Sequence, residues 1–400
     1  MKRDRGTQIQ YFKLMLLTFV HLLADCTSNS LPGFLPAAMT YFGLDLAYGV
    51  VFVSTMGICC NLLQVPASKL GSRSPSSFWI KTGLLMLCSG SLMGFLPSQI
   101  PFAVICLVVM ISAIGIAIVH PAGLRGVQAL HHVSPGLATS VFMTGGFLGG
   151  ALSPWIAGLL VERFGLKGLA LFVPLTFLVT ILIHVSRIRL VTESSGSDPR
   201  KKELYSPWSF FSLLIIAGVM NCGSTAFMGL VPYMLNVECG FSLSFGGFAL
   251  LLFGGGSSLV SIYLGWLSVR REISRLLVFL LFCGVPFAIL FFLFCGNRWA
   301  ILFALLVGCL CSSAFPIMVA MSKVAAGRFS LGTRMGLMVG GTWGGAGLVF
   351  LAVGGVASRF TANEVLLIVV PGFYFLSGVI AVLTWKRGRN AVPSEAQGKE

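Results

Sequence analysis

Acidic side chains are scarce in this chain: Asp and Glu together number 12 in 400 residues, and all charged residues make up 10%. An ordinary soluble domain carries roughly 25% charge. A water-soluble fold cannot cover its surface with so few polar groups, so cytosolic enzymes and secreted scaffolds are excluded. The 11 cysteines include no CxxC pair and no metal-ligand spacing, so neither a disulfide framework nor a metal site is expected. They read as small buried residues within apolar runs. GxxxxGK[ST], GxSxG and HExxH are all missing. The first absence argues against ATP drive, and the others leave no hydrolase signature. The reading is of a protein that is not an enzyme and uses no cofactor.

What the chain has in abundance is apolar length. Hydrophobic residues are 56% of it, with 48 glycines, and mean hydropathy is +0.93. A bilayer crossing takes about 20 mainly apolar residues. Twelve such stretches are expected near 13–37, 46–68, 78–97, 100–124, 136–161, 167–188, 208–234, 243–267, 274–295, 298–321, 332–357 and 363–385. Asp25 and Asn29 interrupt the first stretch and no A-x-A-like site follows it. It reads as a retained first transmembrane helix, not a cleaved signal. The fold class is an all-α membrane protein.

The net charge of +15 would suggest nucleic acid in a soluble protein. Its distribution says otherwise. Of 27 Lys and Arg residues, 23 fall at one set of alternate connections, and only Arg163, Lys167, Arg298 and Arg359 fall at the other. This positive-inside asymmetry places both termini in the cytoplasm. The excess charge is topological, and no nucleic-acid partner is implied.

The chain is internally repeated. A shift of 196 places Asp25 on Asn221, Cys26 on Cys222, Ser28 on Ser224, Gly33 on Gly229 and Pro36 on Pro232. A shift of 197 puts Arg73 on Arg270. A shift of 195 puts Pro121 on Pro316, and Gly145, Gly146, Gly149 and Gly150 on Gly340, Gly341, Gly344 and Gly345. A nearly constant offset implies a duplicated six-helix unit, the parallel-repeat plan of transporters with a central site. The expected organisation is an N-terminal half at 1–190, a polar cytoplasmic linker at 191–207, a C-terminal half at 208–390 and a flexible tail at 391–400.

Asp25 is the one acidic residue placed well inside a span, where a carboxylate costs about 2.5–3.5 kcal/mol on the insertion scale. His21, Asp25, Ser28, Asn29 and Pro32 share one helical face. The corresponding face of the seventh span carries Asn221, Ser224 and Thr225. Two such stripes would line a partly hydrated pathway, with Asp25 taking up and releasing a proton and His21 tuning it. The alternative is a structural hydrogen bond between these groups. His120 precedes Pro121. It either relays protons and meets an anionic substrate, or bonds a carbonyl freed by the kink. Arg125, one turn on, either attracts an anionic substrate or marks the cytoplasmic end. Phe142, Phe147, Phe315 and Trp343 are candidates to line an apolar pocket, against plain contact with lipid or neighbouring helices. Gly145, Gly149, Ser153, Pro154, Gly158, Gly340 and Gly344 form small-residue ladders suited to close helix packing. Arg73 and Arg270 are candidate cytoplasmic gate residues.

Twelve spans, a duplicated half and a basic central loop resemble the major facilitator superfamily. Three segments narrow the resemblance: His21-Leu-Leu-Ala-Asp25-x3-Asn29-x2-Pro32-x3-Pro36, then His120-Pro121-Ala122-Gly123, then the Ser140–Pro154 stretch with its paired glycines. These are similar to the fosmidomycin-resistance type, a group of bacterial proton-linked efflux proteins. Two departures stand out. Ser68 and Ser72 replace the Gly and Asp of the Gly-x3-Asp-Arg-like loop motif. Gly149-x3-Ser153-Pro154-x2-Ala157-Gly158 only partly matches the antiporter motif of the fifth span.

The resemblance implies a monomer in a bacterial inner membrane, exporting an antibiotic-like, anionic or amphiphilic small molecule in exchange for protons. Two alternatives remain at this point: uptake of a metabolite by symport or facilitation, and a receptor or scaffold that kept the fold without transport.

Overall fold

The computed structural model describes residues 5–70, 72–192, 206–268, 272–329 and 331–390. Arg270, most of the expected linker and the tail at 391–400 lie outside the described residues. The described residues are helical, joined by short turns, with one isolated antiparallel bridge between Ser76 and Arg189.

The chain opens with α1 (Arg5–Ser28) and α2 (Leu31–Phe42), which together fill the first expected span. Gly43, at φ 64°, ends α2 in the left-handed conformation that a side chain disfavours. Asp45 then caps α3 (Leu46–Leu62), its carboxylate accepting from the Tyr48 amide at 3.0 Å. There follow α4 (Gln64–Lys69), α5 (Phe78–Ser91), α6 (Phe102–Gln128), α7 (Pro135–Phe164) and α8 (Phe172–Val185). Pro135 starts α7 at a position where its missing N–H costs nothing. The later helices are α9 (Phe210–Tyr233), α10 (Leu243–Ser268), α11 (Ser274–Leu293), α12 (Ile301–Leu310), α13 (Phe315–Val324), α14 (Leu331–Gly336), α15 (Thr342–Ala357) and α16 (Ala362–Asn390).

Eleven helical segments among the described residues are long and apolar enough to cross a membrane. The difference from twelve lies at 78–97. There α5 covers only 14 residues and ends on Gly90 and Ser91, and a short 3-10 turn at Met93–Phe95 completes the stretch. The all-helical membrane fold is as the sequence indicated.

By internal contacts the chain forms two compact units. One comprises Met1–Pro199, Met228–Leu251 and Gly354–Ala362, and the other comprises Arg200–Phe227, Leu252–Val353 and Asn363–Glu400. Two segments from beyond the linker thus group with the first half. The reason is local: Gly247 lies against the Pro154 backbone, and Gly158 lies against Leu243 and Ser244.

In the first unit, α1 packs along α7, and α6 is flanked by α3 and α5. Gly83 of α5 and Gly115 of α6 face one another so closely that a Cβ on either would sit 2.6 Å from the other's carbonyl oxygen. Helices held this near gain dispersion contacts along the backbone, which is how membrane helices associate without a hydrophobic drive between them.

In the second unit, Phe227 of α9 stacks on Phe253 at 4.6 Å and meets Phe291 at 5.2 Å. The Trp208 indole donates to the Ala381 carbonyl at 3.0 Å, tying the start of this unit to α16.

Candidate functional site

The centre of the first unit holds three ionisable side chains from two helices. His21 and Asp25 sit one turn apart on α1, and His120 comes from α6. Asp25 Oδ2 is 3.3 Å from His21 Nε2, and Asp25 Oδ1 is 3.0 Å from His120 Nε2. The side chains are 6% exposed for His21, 16% for Asp25 and 23% for His120, so the cluster is buried on the His21 side and opens towards His120. The two imidazoles meet edge to face at 4.9 Å.

Helix α7 forms the third wall. The Phe142 ring stacks on His21 at 4.2 Å. The Phe142 carbonyl lies 2.8 Å from His21 Nδ1. A carbonyl only accepts, so Nδ1 carries the hydrogen. A neutral His21 would then present a bare lone pair at Nε2, facing a carboxylate oxygen at 3.3 Å. Two lone pairs repel at that distance. The contact is attractive only when one proton is held there, as imidazolium against carboxylate or as carboxylic acid against imidazole. The other side needs no extra proton, because a neutral His120 donates from Nε2 to Oδ1.

Gly146 makes this arrangement possible. A Cβ at that position would land on the His21 ring and on Asp25 Oδ2, and a Cβ at Gly149 would land on the Leu22 carbonyl. Gly145 and Gly149 lie against the Thr18 and Leu22 carbonyls of α1, and their neighbour Gly146 leaves room for the cluster. Ser153 extends the same seam by donating to the Cys26 carbonyl, and the Pro154 backbone closes against Gly33.

The three ligand-type atoms of His21, Asp25 and His120 lie within 4.8 Å of one another, so this donor set has the spacing to hold a divalent cation. Spacing along the chain does not announce it, since His120 lies 95 positions from Asp25. The His120 contact at 3.0 Å is a hydrogen-bond distance and the His21 contact at 3.3 Å is a direct ion-pair distance, so neither requires anything between the groups.

Other predicted residues are placed elsewhere. Ser28 is buried and points back to the Asp25 carbonyl at 3.5 Å, while the exposed Asn29 donates to the same carbonyl at 3.0 Å. Arg125 is stapled to the chain ends around it. Its Nε donates to the Val191 carbonyl at 2.7 Å, and its Nη2 donates to the carbonyls of Ser74 at 2.9 Å and Ser72 at 3.2 Å. Those carbonyls hold the guanidinium in place at the end of α6. Arg73 is exposed, and no carboxylate pairs with it among the described residues.

In the second unit, Asn221 donates to Thr342 Oγ1 at 2.9 Å, and Ser224 shares a hydrogen bond with the Tyr374 hydroxyl at 3.0 Å. Asn221 and Ser224 are both fully buried. Their hydrogen-bonding partners on neighbouring helices cover both side chains. Thr225 is half-buried. Phe315 and Trp343 meet edge to face at 5.6 Å. Phe142 is buried against His21, whereas Phe147 is 43% exposed on the other side of α7. Gly158 lies against Leu243, as above, and Gly340 and Gly344 are buried along the eleventh span.

Sequence reasoning missed the Phe142 carbonyl and the clearance at Gly146. The doubled glycines were the visible signal, but a ladder does not say which rung faces an ionisable group.

The sequence profile described as Major Facilitator Superfamily matches residues 17–308. The chain is 24% identical over 399 residues to the uncharacterized MFS-type transporter YfnC of Bacillus subtilis (strain 168), covering 94% of this chain and 93% of that one. It is 24% identical over 172 residues to the fosmidomycin resistance protein of Escherichia coli (strain K12), covering 43% of this chain and 42% of that one. Among solved structures, a peptide transporter POT superposes with a TM-score of 0.72 at 14% identity, covering 97% of this chain and 99% of that one. An inward-facing bacterial homologue of the human lysosomal transporter Spinster gives 0.69 at 15% identity, covering 95% and 97%. At these identities the structural likeness bears on fold alone.

Proposed function

This chain belongs to the Major Facilitator Superfamily, and on that premise we propose that this membrane transporter exports a small antibiotic-like, anionic or amphiphilic molecule in exchange for protons. The observation that carries the proposal is the His21–Asp25 contact, which is attractive only with a proton in it. With the proton, the cluster is neutral. Without it, a carboxylate stands in a membrane-spanning helix with His120 as its donor from another helix. An intramembrane ionisable group in this position is a functional group by default. Losing and regaining one proton changes the charge of the cluster and its grip on α7. That gives the two states that alternating access needs.

The chain's own residues divide the work. His21 and Asp25 hold the proton. Phe142 fixes the His21 tautomer through its backbone, and His120 faces the more open side, where a proton or an anionic substrate would arrive. Phe315, Trp343 and Thr225 remain candidates for the substrate path. Outward direction is supported by the partial likeness to a fosmidomycin resistance protein. The basic loops favour cytoplasmic termini in a bacterial inner membrane, with the protein acting as a monomer.

The test is a susceptibility screen of cells with and without the protein across chemically varied inhibitors. Active compounds are then added to acid-loaded inverted vesicles. Export by exchange is expected to collapse the proton gradient when the compound is added. Accumulation of the compound by intact cells instead would replace export with uptake.

A further inference from the structure

We propose that the basic end of the first unit carries a separate binding site for a phosphate-bearing anion. A cavity of ≈ 610 Å³ opens there, lined among others by Lys13 of α1, His131 after α6, and Arg187 and Arg189 after α8. Among the described residues no lining residue is acidic, and no carboxylate pairs with Lys13, Arg187 or Arg189. Its apolar floor includes Leu130 and Ile188, which are buried. A volume of this order exceeds what a lone inorganic ion needs and falls in the range of small-ligand pockets, about 300–1,000 Å³.

A positive-inside bias scatters lysines and arginines over loops, but it does not build a wall for them. Here a wall is built. Residues 189–191 are strapped down by the Ser76–Arg189 bridge, by the Leu190 amide to the Pro75 carbonyl at 3.0 Å, and by the Val191 amide to the Arg125 carbonyl at 3.1 Å. The Arg125 guanidinium also holds the same strap, through the Val191 carbonyl. The turn that leads into the strap places Arg187 at φ 45°, a left-handed conformation that is unfavourable for a long side chain. A glycine there would relieve the strain, yet the sequence keeps an arginine on the cavity rim. Guanidinium forks match phosphate oxygens in pairs, and an ammonium adds a point charge. Three cations with no carboxylate partner among the described residues, over an apolar floor, suit a phosphate carried on a less polar body, either a phospholipid headgroup or a free phosphate ester.

The test uses the purified full chain in detergent. Melting temperature and native mass spectra are followed with phosphatidylglycerol, with phosphatidylcholine and with glycerol 3-phosphate. Two variants accompany the wild type: the triple Lys13→Gln, Arg187→Gln, Arg189→Gln, and the single Arg187→Gly. The single variant relieves the backbone, so its unliganded melting temperature is expected to match or exceed wild type while its affinity for the anion falls. The triple variant is expected to lose about tenfold or more in affinity, 1.4 kcal/mol per tenfold. Stabilisation by phosphatidylglycerol alone identifies a lipid site, and stabilisation by glycerol 3-phosphate identifies a soluble ligand. Equal binding by wild type and triple variant, or no preference for either anion over phosphatidylcholine, would overturn the proposal.

Discussion

The Phe142 carbonyl on α7 stands 2.8 Å from His21 Nδ1 on α1, and this one backbone contact decides which nitrogen of His21 faces Asp25. It links the helix that bears the carboxylate to the helix that bears the doubled glycines. The proton cluster and the α1–α7 packing seam are therefore one object, and substitutions in either should be felt in both.

Gly146→Ala puts a methyl group where the His21 ring and Asp25 Oδ2 already are. Overpacking of this kind costs about 1–3 kcal/mol. Its melting temperature in detergent should fall and its transport should be lost. Gly150→Ala is the control one turn on, because the nearest atom is 3.6 Å away on Asn29. That variant should keep both stability and transport.

His21→Ala removes the partner that shares the proton with Asp25 but leaves the His120 bond in place. Transport driven by an imposed pH gradient should fall towards the level of protein-free liposomes. Substrate counterflow without a gradient should persist. Equal loss of both would mean that His21 serves the fold and not coupling.

Arg125→Ala deprives the carbonyls of Ser72, Ser74 and Val191 of a charged donor. A hydrogen bond to a charged group contributes about 1.5–3 kcal/mol. The variant should melt earlier, with KM for substrate unchanged. A raised KM at unchanged stability would place Arg125 on the substrate path.

Ser224 and Tyr374 share one buried hydroxyl bond at 3.0 Å. Ser224→Ala or Tyr374→Phe alone leaves a buried hydroxyl unpaired, at about 1–3 kcal/mol. The double variant should cost less than the sum, a coupling that thermal denaturation of the four proteins measures directly.

Much of this was legible in the residues. Apolar length and the repeat offset announced an all-helical membrane fold, because a bilayer demands about 20 apolar residues per crossing and allows few exceptions. Asp25 stood out because lipid makes an isolated carboxylate costly, and its helical spacing already placed His21 one turn away. His120 was marked by its neighbour Pro121, yet nothing in the sequence said that α6 turns it towards Asp25 and not towards a freed carbonyl. That depends on helix rotation, which is fixed by packing at Gly83 and Gly115. The short α5 was hidden because hydropathy continues past Gly90 and Ser91 where the helix does not. Asn221 and Ser224 were read as the mirror of the Asp25 face, but the repeat preserves position without preserving partners: Thr342 and Tyr374 cover them in the second unit.

The most direct check is the protonation state of His21 itself. Nitrogen NMR of histidine-labelled protein in lipid, with the His21 signal assigned through its Ala variant, reads whether Nε2 shares a proton. Between about pH 5 and 8, where histidine chemistry is sampled, wild type should show Nδ1–H throughout. Nε2 should be protonated or strongly hydrogen-bonded to a carboxylic acid, should lose that signature as pH rises, and should lack the carboxyl-linked signature in Asp25→Asn. A His21 with a bare, unshared Nε2 at every pH, unchanged by Asp25→Asn, would refute the shared proton and with it the proposed coupling.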